Sequence, residues 1–199
     1  MLEGPAVIRR ALGLVGQRLA AEGQEIWIVV VGGAALNLRG IVTRTTVDVD
    51  IVALAIPDGG RMVLQATTAP LTASLRAHAA RVAADLRLAP TWLNDEPADL
   101  FRLGLPPGFA EGLQWEDFAG LHVGVASREG LIPLKLYAAG HDRWAGPNRH
   151  QSDLVLLRPT PEELAAGALW VASQDFSPAM QEQIHRVIEE VKDAVLRAR

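Results

Sequence analysis

Two aspartates lie two residues apart, Asp48 and Asp50, in a segment that is otherwise apolar and rich in β-branched residues. Residues i and i+2 of a β-strand point to one face, so the two carboxylates are expected side by side, with Val47, Val49 and Ile51 facing the core. Adjacent ionised carboxylates repel each other, and burial adds a desolvation penalty. Mg²⁺ or Mn²⁺ relieves both, because these cations prefer hard oxygen ligands. The spacing therefore predicts a metal site, and the alternative is an aspartate pair on the solvated face of an edge strand.

A glycine pair, Gly32 and Gly33, ends the apolar run that precedes the aspartates. Glycine lets the backbone approach a ligand closely and adopt a positive φ, and the free N–H groups of a helix start favour phosphate. We expect phosphate binding where the glycines and the aspartates lie together. The alternative is a plain strand-to-helix turn in an α/β domain, with the two features apart in space.

Hydrophobic patterning predicts the elements that must position these residues. The apolar run at 25–31 is typical of a strand covered on both faces, 33–39 predicts a short helix, and the alternation at 45–54 predicts a second strand. A turn is expected at 57–60. The remaining expected elements are helices at 5–22, 72–88, 128–140, from 152 with Ser152 as N-cap, 161–173 and 178–198, a strand at 89–95, a loop at 96–112 and two strands in 113–127. The pattern predicts an α/β (α+β) core at 1–127 and a helical part at 128–199.

Composition narrows the class of protein. The 199 residues include no cysteine, which excludes a disulfide scaffold, a thiolate metal site and a cysteine nucleophile. The N-terminus lacks a signal-peptide pattern and the apolar runs are too short to span a membrane, so we expect a cytoplasmic protein without membrane contact. A net charge of −4 supplies no global positive field for nucleic acid. The histidines lack zinc-site spacing.

The order of these motifs resembles a known superfamily. The segments VVVGGAALNLRG at 29–40 and TRTTVDVDIVAL at 43–54 resemble the nucleotidyltransferases of polymerase-β-like fold, most of all bacterial proteins related to AbiEii-type toxins of toxin–antitoxin systems. A second stretch, LIPLKLYAAGHDRW followed by HQSDLVLL, is similar to that family's downstream lysine helix, basic loop and aspartate–leucine helix. The resemblance spans roughly 25–157. One departure is Ala34, where many members place Ser or Thr after the glycines.

The resemblance implies a small mixed sheet flanked by helices, and metal-dependent transfer of a nucleoside monophosphate from an NTP to an acceptor hydroxyl. It implies that Asp48 and Asp50 hold Mg²⁺ or Mn²⁺ and that Gly32 and Gly33 contact the triphosphate. Two further phosphate-binding candidates lie on the loop before the aspartates, Arg44 and Thr45, and the alternative is a helix-to-strand connection with solvated side chains. The acceptor is left open between an RNA end, a protein and a small molecule. A cognate antitoxin is the implied protein partner.

The resemblance also implies further catalytic residues. Asp95 is the candidate for a third carboxylate that activates the acceptor hydroxyl, with Glu116 and Asp117 competing for that role, and the alternative for each is a turn residue. Lys135 is expected to neutralise phosphate charge, unless it is a lysine snorkelling from a buried helix. Asp153 is expected to position Lys135 through a salt bridge or to act as a late base, unless it caps its helix.

A catalytically inactive relative that binds a nucleotide or a partner is the alternative function. The last helix is relevant to this alternative, because an apolar stripe on an amphipathic helix can pack on the protein's own core or on another chain. The stripe consists of Met180, Ile184, Val187, Ile188, Val191 and Val195. We expect it to pack within the chain's own helical part.

Overall fold

A computed structural model describes residues 1–65, 71–141 and 149–197, and confirms the α+β class with a mixed sheet and helices. Within these ranges the strands are β1 Leu2–Glu3, β2 Ile26–Val31, β3 Thr45–Thr46, β4 Val49–Asp58, β5 Arg61–Gln65, β6 Leu93–Asn94, β7 Gln114–Phe118 and β8 Leu121–Val125. The helices are α1 Gly4–Ala21, α2 Gly32–Leu38, α3 Ala73–Leu86, α4 Ala98–Leu103, α5 Arg128–His141, α6 Arg149–Leu157, α7 Pro161–Gln174 and α8 Pro178–Arg197. No helix of the described ranges is both long and apolar enough to cross a membrane.

The chain divides into two compact units. The first unit consists of residues 1–105 and 109–127, and the second unit consists of residues 106–108 and 128–199. The sheet lies in the first unit, and α5 to α8 lie in the second.

The main sheet places β2 and β4 side by side at its centre. Its strand order is β5-β4-β2-β8-β7, and β6 pairs with β4 in addition. β2 is antiparallel to β4 and parallel to β8. Three consecutive β2 residues, Ile28, Val29 and Val30, are fully buried, because the strand is covered on both faces. The pairing brings the end of β2 next to the start of β4, with Val31 opposite Asp50.

Helix α1 supports the sheet from one side. Its fully buried residues Ile8, Leu12, Val15 and Leu19 recur at intervals of three or four, so they share one face. This face contacts β7 and β8, while α1 also packs against α2 and α3. Helix α2 follows β2 directly. The packing of α1 against α2 therefore helps to fix the glycine bend between β2 and α2.

The second unit is built around α5. Seven consecutive α5 residues from Gly130 to Leu136 are buried, which requires neighbours on all sides, and α6, α7 and α8 supply them. A Cβ on Gly140 would lie 2.7 Å from both the Ile184 and the Met180 side chains, so glycine permits the close approach of α8. Four residues of the expected α8 stripe are buried: Met180, Ile184, Val187 and Val191. The stripe therefore packs within the second unit, as expected.

The strand predicted at 45–54 differs from the observed one. It is split into β3, which pairs with the N-terminal strand β1, and β4, which begins only at Val49. The prediction that Val47 faces the core is wrong, because Val47 lies in the break between the two strands and is 49% exposed. Asp48 lies in the same break, so strand alternation does not set the Asp48 and Asp50 carboxylates side by side as predicted. The turn predicted from Pro57 is also wrong in part, since β4 continues to Asp58 and pairs with β5. β5 itself was not predicted.

Three smaller corrections concern helices and a short strand. The loop predicted at 96–112 contains α4. The strand predicted at 89–95 is reduced to the two residues of β6. Helix α6 begins at Arg149, so Ser152 lies inside the helix and is not its N-cap. The segment 142–148, with the predicted basic loop and Trp144, lies outside the described residues.

Candidate functional site

The glycine bend, Gly32 and Gly33, meets the start of β4 where Gly32 lies against Asp50. Gly32 follows β2 with φ +71°, a conformation that L-residues with a side chain rarely adopt. A Cβ on Gly32 would overlap the Asp50 Oδ2 atom. The Asp50 carboxylate occupies the space that a side chain at position 32 would take, and the alternative in which the two motifs lie apart is wrong.

Gly33 adjoins two side chains of the loop before β4. A Cβ on Gly33 would lie 2.9 Å from Thr46 Oγ1 and 3.6 Å from Arg44 Nη2. Arg44 is therefore brought to the glycine pair, as its proposed role requires. Thr45 is exposed, while Thr46 is 2% exposed and donates a hydrogen bond from Oγ1 to the Asp48 carbonyl at 3.3 Å. Thr46 fixes the backbone of Asp48.

Asn37 connects the glycine bend to the loop that carries Arg44. Its side chain is 1% exposed; Nδ2 donates to the Gly33 carbonyl at 3.0 Å, and Oδ1 accepts from the Arg44 backbone N–H at 3.3 Å. The nitrogen and the oxygen of the Asn37 amide thus both form hydrogen bonds with backbone groups of the site. Sequence reasoning missed Asn37, although a polar residue among the apolar neighbours of a short buried helix was a usable signal.

Asn94 lies directly beside Asp50. β6 runs parallel to β4 with Asn94 in register with Asp50, and Asn94 Nδ2 donates to Asp50 Oδ1 at 3.2 Å. The neighbouring Asp95 carboxylate instead accepts from the Leu71 backbone N–H at 3.2 Å and lies 3.7 Å from Arg76. The side chain next to Asp50 on β6 is therefore a neutral amide.

The other two candidates for a third carboxylate are engaged elsewhere in the first unit. Glu116 accepts two hydrogen bonds of 2.8 Å from Arg9, which raise the pKa of Arg9 above its ordinary value despite partial burial. Arg9 also donates to the Leu38 carbonyl at the end of α2. Asp117 is paired with His122 at 2.6 Å. These contacts fasten α1 and the β7–β8 hairpin.

Lys135 and Asp153 form a buried ion pair in the second unit. Lys135 Nζ lies 2.7 Å from Asp153 Oδ2, and the two residues are 6% and 1% exposed. The snorkelling alternative for Lys135 is wrong, because the ammonium is buried. The capping alternative for Asp153 is not supported, since this carboxylate lies four residues after the start of α6 and faces α5 through Lys135.

Buried polar residues are concentrated at the candidate site. The described residues include seven buried polar or charged ones: Asn37, Thr46, His78, Asn94, Ser127, Lys135 and Asp153. Three of these, Asn37, Thr46 and Asn94, bond to Gly33, Asp48 or Asp50. Burying a polar side chain is costly unless it is hydrogen-bonded. These hydrogen bonds therefore hold the glycine bend and the start of β4 in a fixed arrangement.

The donor set fits a divalent cation only in part. Among the described residues no group of three or more His, Cys, Asp or Glu side chains could hold a metal ion. Mg²⁺ in proteins is often held by one or two carboxylates plus the phosphates of a substrate. Asp50, and Asp48 in the break before β4, have the chemistry for that second kind of site. Helix α2 has only seven residues, so its dipole adds little for an anion.

Comparisons of the chain with protein-family models, with curated proteins and with solved structures found no match. The resemblance drawn from the two motif segments therefore stays a prediction. The functional assignment below depends on this resemblance and on the geometry of the site.

Proposed function

We propose that the first unit binds a nucleoside triphosphate with Mg²⁺ or Mn²⁺ and transfers the nucleoside monophosphate to an acceptor hydroxyl. The observation that carries the proposal is the contact between Gly32 and the Asp50 carboxylate. Glycine at position 32 lets the Asp50 carboxylate lie against the bend, next to the backbone that is proposed to contact the phosphates. If the bend served only to connect β2 with α2, Gly32 would not have to lie this close to the Asp50 carboxylate.

Each residue of the site has a role in this proposal. Asp48 and Asp50 hold the cation, which offsets the charge on the phosphates when bound. Arg44, next to Gly33, donates charge-assisted hydrogen bonds to phosphate oxygens. The acceptor oxygen forms a bond to the α-phosphorus, the bond between the α-phosphorus and the bridging oxygen of the β-phosphate breaks, pyrophosphate leaves, and the hydroxyl proton passes to water. Binding and positioning supply most of the rate enhancement.

The catalytic roles of Lys135 and Asp153, which lie in the second unit, derive from the resemblance alone. The ion pair of 2.7 Å supports the positioning role of Asp153. Asp95 is not retained as the third carboxylate, since it accepts a hydrogen bond from the Leu71 backbone N–H and forms an ion pair with Arg76. The toxin–antitoxin role, the antitoxin partner and the cytoplasmic location also derive from sequence reasoning. The acceptor stays open between RNA, protein and a small molecule.

Nucleotide binding without transfer is the second candidate, and Asn94 favours it. A base that takes the acceptor proton is expected next to the metal-binding aspartates, and the residue in register with Asp50 on β6 is a neutral amide. An amide cannot accept that proton near neutral pH. This candidate retains the same bound nucleotide and the same cation.

The first test measures binding and transfer separately. The protein is melted with Mg²⁺ and each of ATP, GTP, CTP and UTP, and is then incubated with each α-labelled NTP and total cellular RNA or protein. We expect one or more nucleotides to raise the melting temperature and a labelled product to form. Asp48→Asn and Asp50→Asn should abolish both effects. Asp58→Asn, at the exposed far end of β4, is the matched control and should leave both intact.

The outcomes separate the two candidates. Stabilisation without labelled product favours nucleotide binding alone. If no nucleotide stabilises the wild type, both candidates fail. If the two aspartate variants label the acceptor as well as the wild type does, the assignment of the metal ligands is wrong.

A further inference from the structure

We infer that Asn94 keeps this site from retaining a divalent cation by itself, so that the cation enters only as a complex with a polyphosphate. The inference deepens the proposed function and depends on it for the identity of the metal ligands Asp48 and Asp50. It specifies the ligand class as a metal-chelated polyphosphate, and the protein as one that holds no resident metal ion.

The orientation of the Asn94 amide is fixed by its two hydrogen bonds. Asn94 Oδ1 accepts from the Glu96 backbone N–H at 3.0 Å, which only the oxygen of the amide can do. Nδ2 must therefore face Asp50 Oδ1, at 3.2 Å. Asn94 is only 9% exposed, so the amide has little room to turn. The Asp50 oxygen on this side is thus approached by a donor with partial positive charge.

This donor weakens the site for a bare cation in two ways. The Asn94 N–H takes up part of the acceptor capacity of Asp50 Oδ1, for which a cation must compete. In addition, a neutral residue stands in register with Asp50 where an acid would add a third negative charge. The proposed protein ligands are the carboxylates of Asp48 and Asp50, and two carboxylates leave most positions around a six-coordinate ion to water or phosphate.

Polyphosphate oxygens supply the missing ligands and negative charge. They bring several oxygens already bound to the cation, so the protein has to add only one or two carboxylates. Arg44 beside Gly33 adds a positive charge that disfavours a bare cation and favours its polyphosphate complex. The same residues therefore discriminate between a free ion and a chelated one.

The decisive substitution is Asn94→Asp, which replaces the Nδ2 donor by an oxygen of almost the same size. The new carboxylate lies in register with Asp50, and repulsion between the two acids favours a bound cation. The swap variant Asp50→Asn with Asn94→Asp is the matched control, because it restores one acid and one amide and the wild-type net charge. Manganese binding is followed by the electron paramagnetic resonance signal of free Mn²⁺, without nucleotide.

We expect the wild type and the swap variant to bind Mn²⁺ alone only weakly. Asn94→Asp should bind it at least about tenfold more tightly, the scale on which residues around a metal site alter affinity. Its melting temperature should rise with Mn²⁺ while that of the wild type does not. If Asn94→Asp gains no affinity, or if the swap variant gains as much, the inference is overturned.

A measurement on the wild type decides the matter even if Asn94→Asp does not fold. Mn²⁺ is titrated alone and in the presence of inorganic tripolyphosphate, which carries no base or sugar. Binding of Mn²⁺ only with tripolyphosphate supports the inference, and tight binding of Mn²⁺ alone overturns it, as does failure to bind in both conditions. None of these measurements requires group transfer or a nucleotide, so absence of a labelled product would count against the proposed function and not against this inference.

Discussion

Gly32 and Gly40 have nearly the same backbone conformation, φ +71° and +69°, but different surroundings. A Cβ on Gly40 would meet nothing within 4 Å, whereas one on Gly32 would overlap Asp50 Oδ2. We expect Gly40→Ala to cost only the left-handed conformation, about 1–2 kcal/mol. Gly32→Ala should cost more and should abolish stabilisation by Mg²⁺ with NTP, because Asp50 is displaced. Chemical denaturation and melting with nucleotide measure the two effects.

Comparing Gly32→Ala with Gly40→Ala is informative because both variants place alanine in the same left-handed backbone conformation. Any difference in unfolding free energy between Gly32→Ala and Gly40→Ala reports the contact with Asp50. Equal losses of stability, together with retained nucleotide stabilisation in both, would show that the site does not depend on this contact.

At the residue scale, the sequence predicted Asp48, Asp50 and Gly32 as candidates because each departs from a local pattern. Carboxylates interrupt a β-branched run, and glycines end another. Thr46 and Asn94 could not be predicted in the same way. Their roles depend on the pairing of β3 with β1 and of β6 with β4, which joins segments far apart in the chain. Strand alternation alone does not select Asn94 over Asp95.

At the element scale, the limits of strands were the least predictable feature. The strand expected at 45–54 is interrupted because Thr45 and Thr46 pair with the N-terminal residues of β1 instead of continuing β4. A register shift between Val29 and Val30 of β2 makes Val52 an extra residue on β4, a bulge close to Asp50. Helices with apolar periodicity, such as α1 and α8, were predicted well, since local spacing determines their buried face.

The ion pair between α5 and α6 gives a prediction about element packing. Lys135→Met leaves the Asp153 carboxylate buried without its cation, so we expect a loss of about 3–5 kcal/mol in unfolding free energy. The double variant Lys135→Met with Asp153→Leu should recover most of it, because two apolar side chains fill the same space. Urea denaturation measures both.

Lys192→Met is the control for this prediction, because Lys192 is the chain's other lysine and lies on the surface of α8, paired with Glu189. It should change stability by less than about 1 kcal/mol. A loss in the double variant as large as in Lys135→Met would mean that shape, and not the unpaired charge, determines the stability of the α5–α6 contact.

At the scale of the whole molecule, pH acts on a set of carboxylates with a lowered pKa. Four such carboxylates lie in the second unit: Glu162, Glu163, Asp175 and Glu189. Glu163 is the best placed to matter, because it accepts two hydrogen bonds from Arg128 and one from the Thr160 backbone N–H in the capping box of α7. These bonds hold its pKa below the ordinary value of 4.5, with Arg128 as the main cause.

A carboxyl group with a lower pKa in the folded chain than in the unfolded chain contributes stability that is present above the unfolded pKa and is lost as pH falls through the folded pKa. We therefore expect Glu163→Gln to be less stable than the wild type at pH 7, by up to about 1 kcal/mol for this partly exposed pair. The difference should shrink once pH falls below about 4.5, where the unfolded carboxyl becomes protonated. Urea denaturation from pH 7 to pH 3 measures this difference.

Glu111→Gln is the control, because Glu111 is exposed and the substitution makes the same change in charge. Its stability should stay within about 0.5 kcal/mol of the wild type at pH 7. A stability difference for Glu163→Gln that stays constant over this pH range would mean that the pairing of Glu163 with Arg128 does not depend on ionisation of the carboxyl.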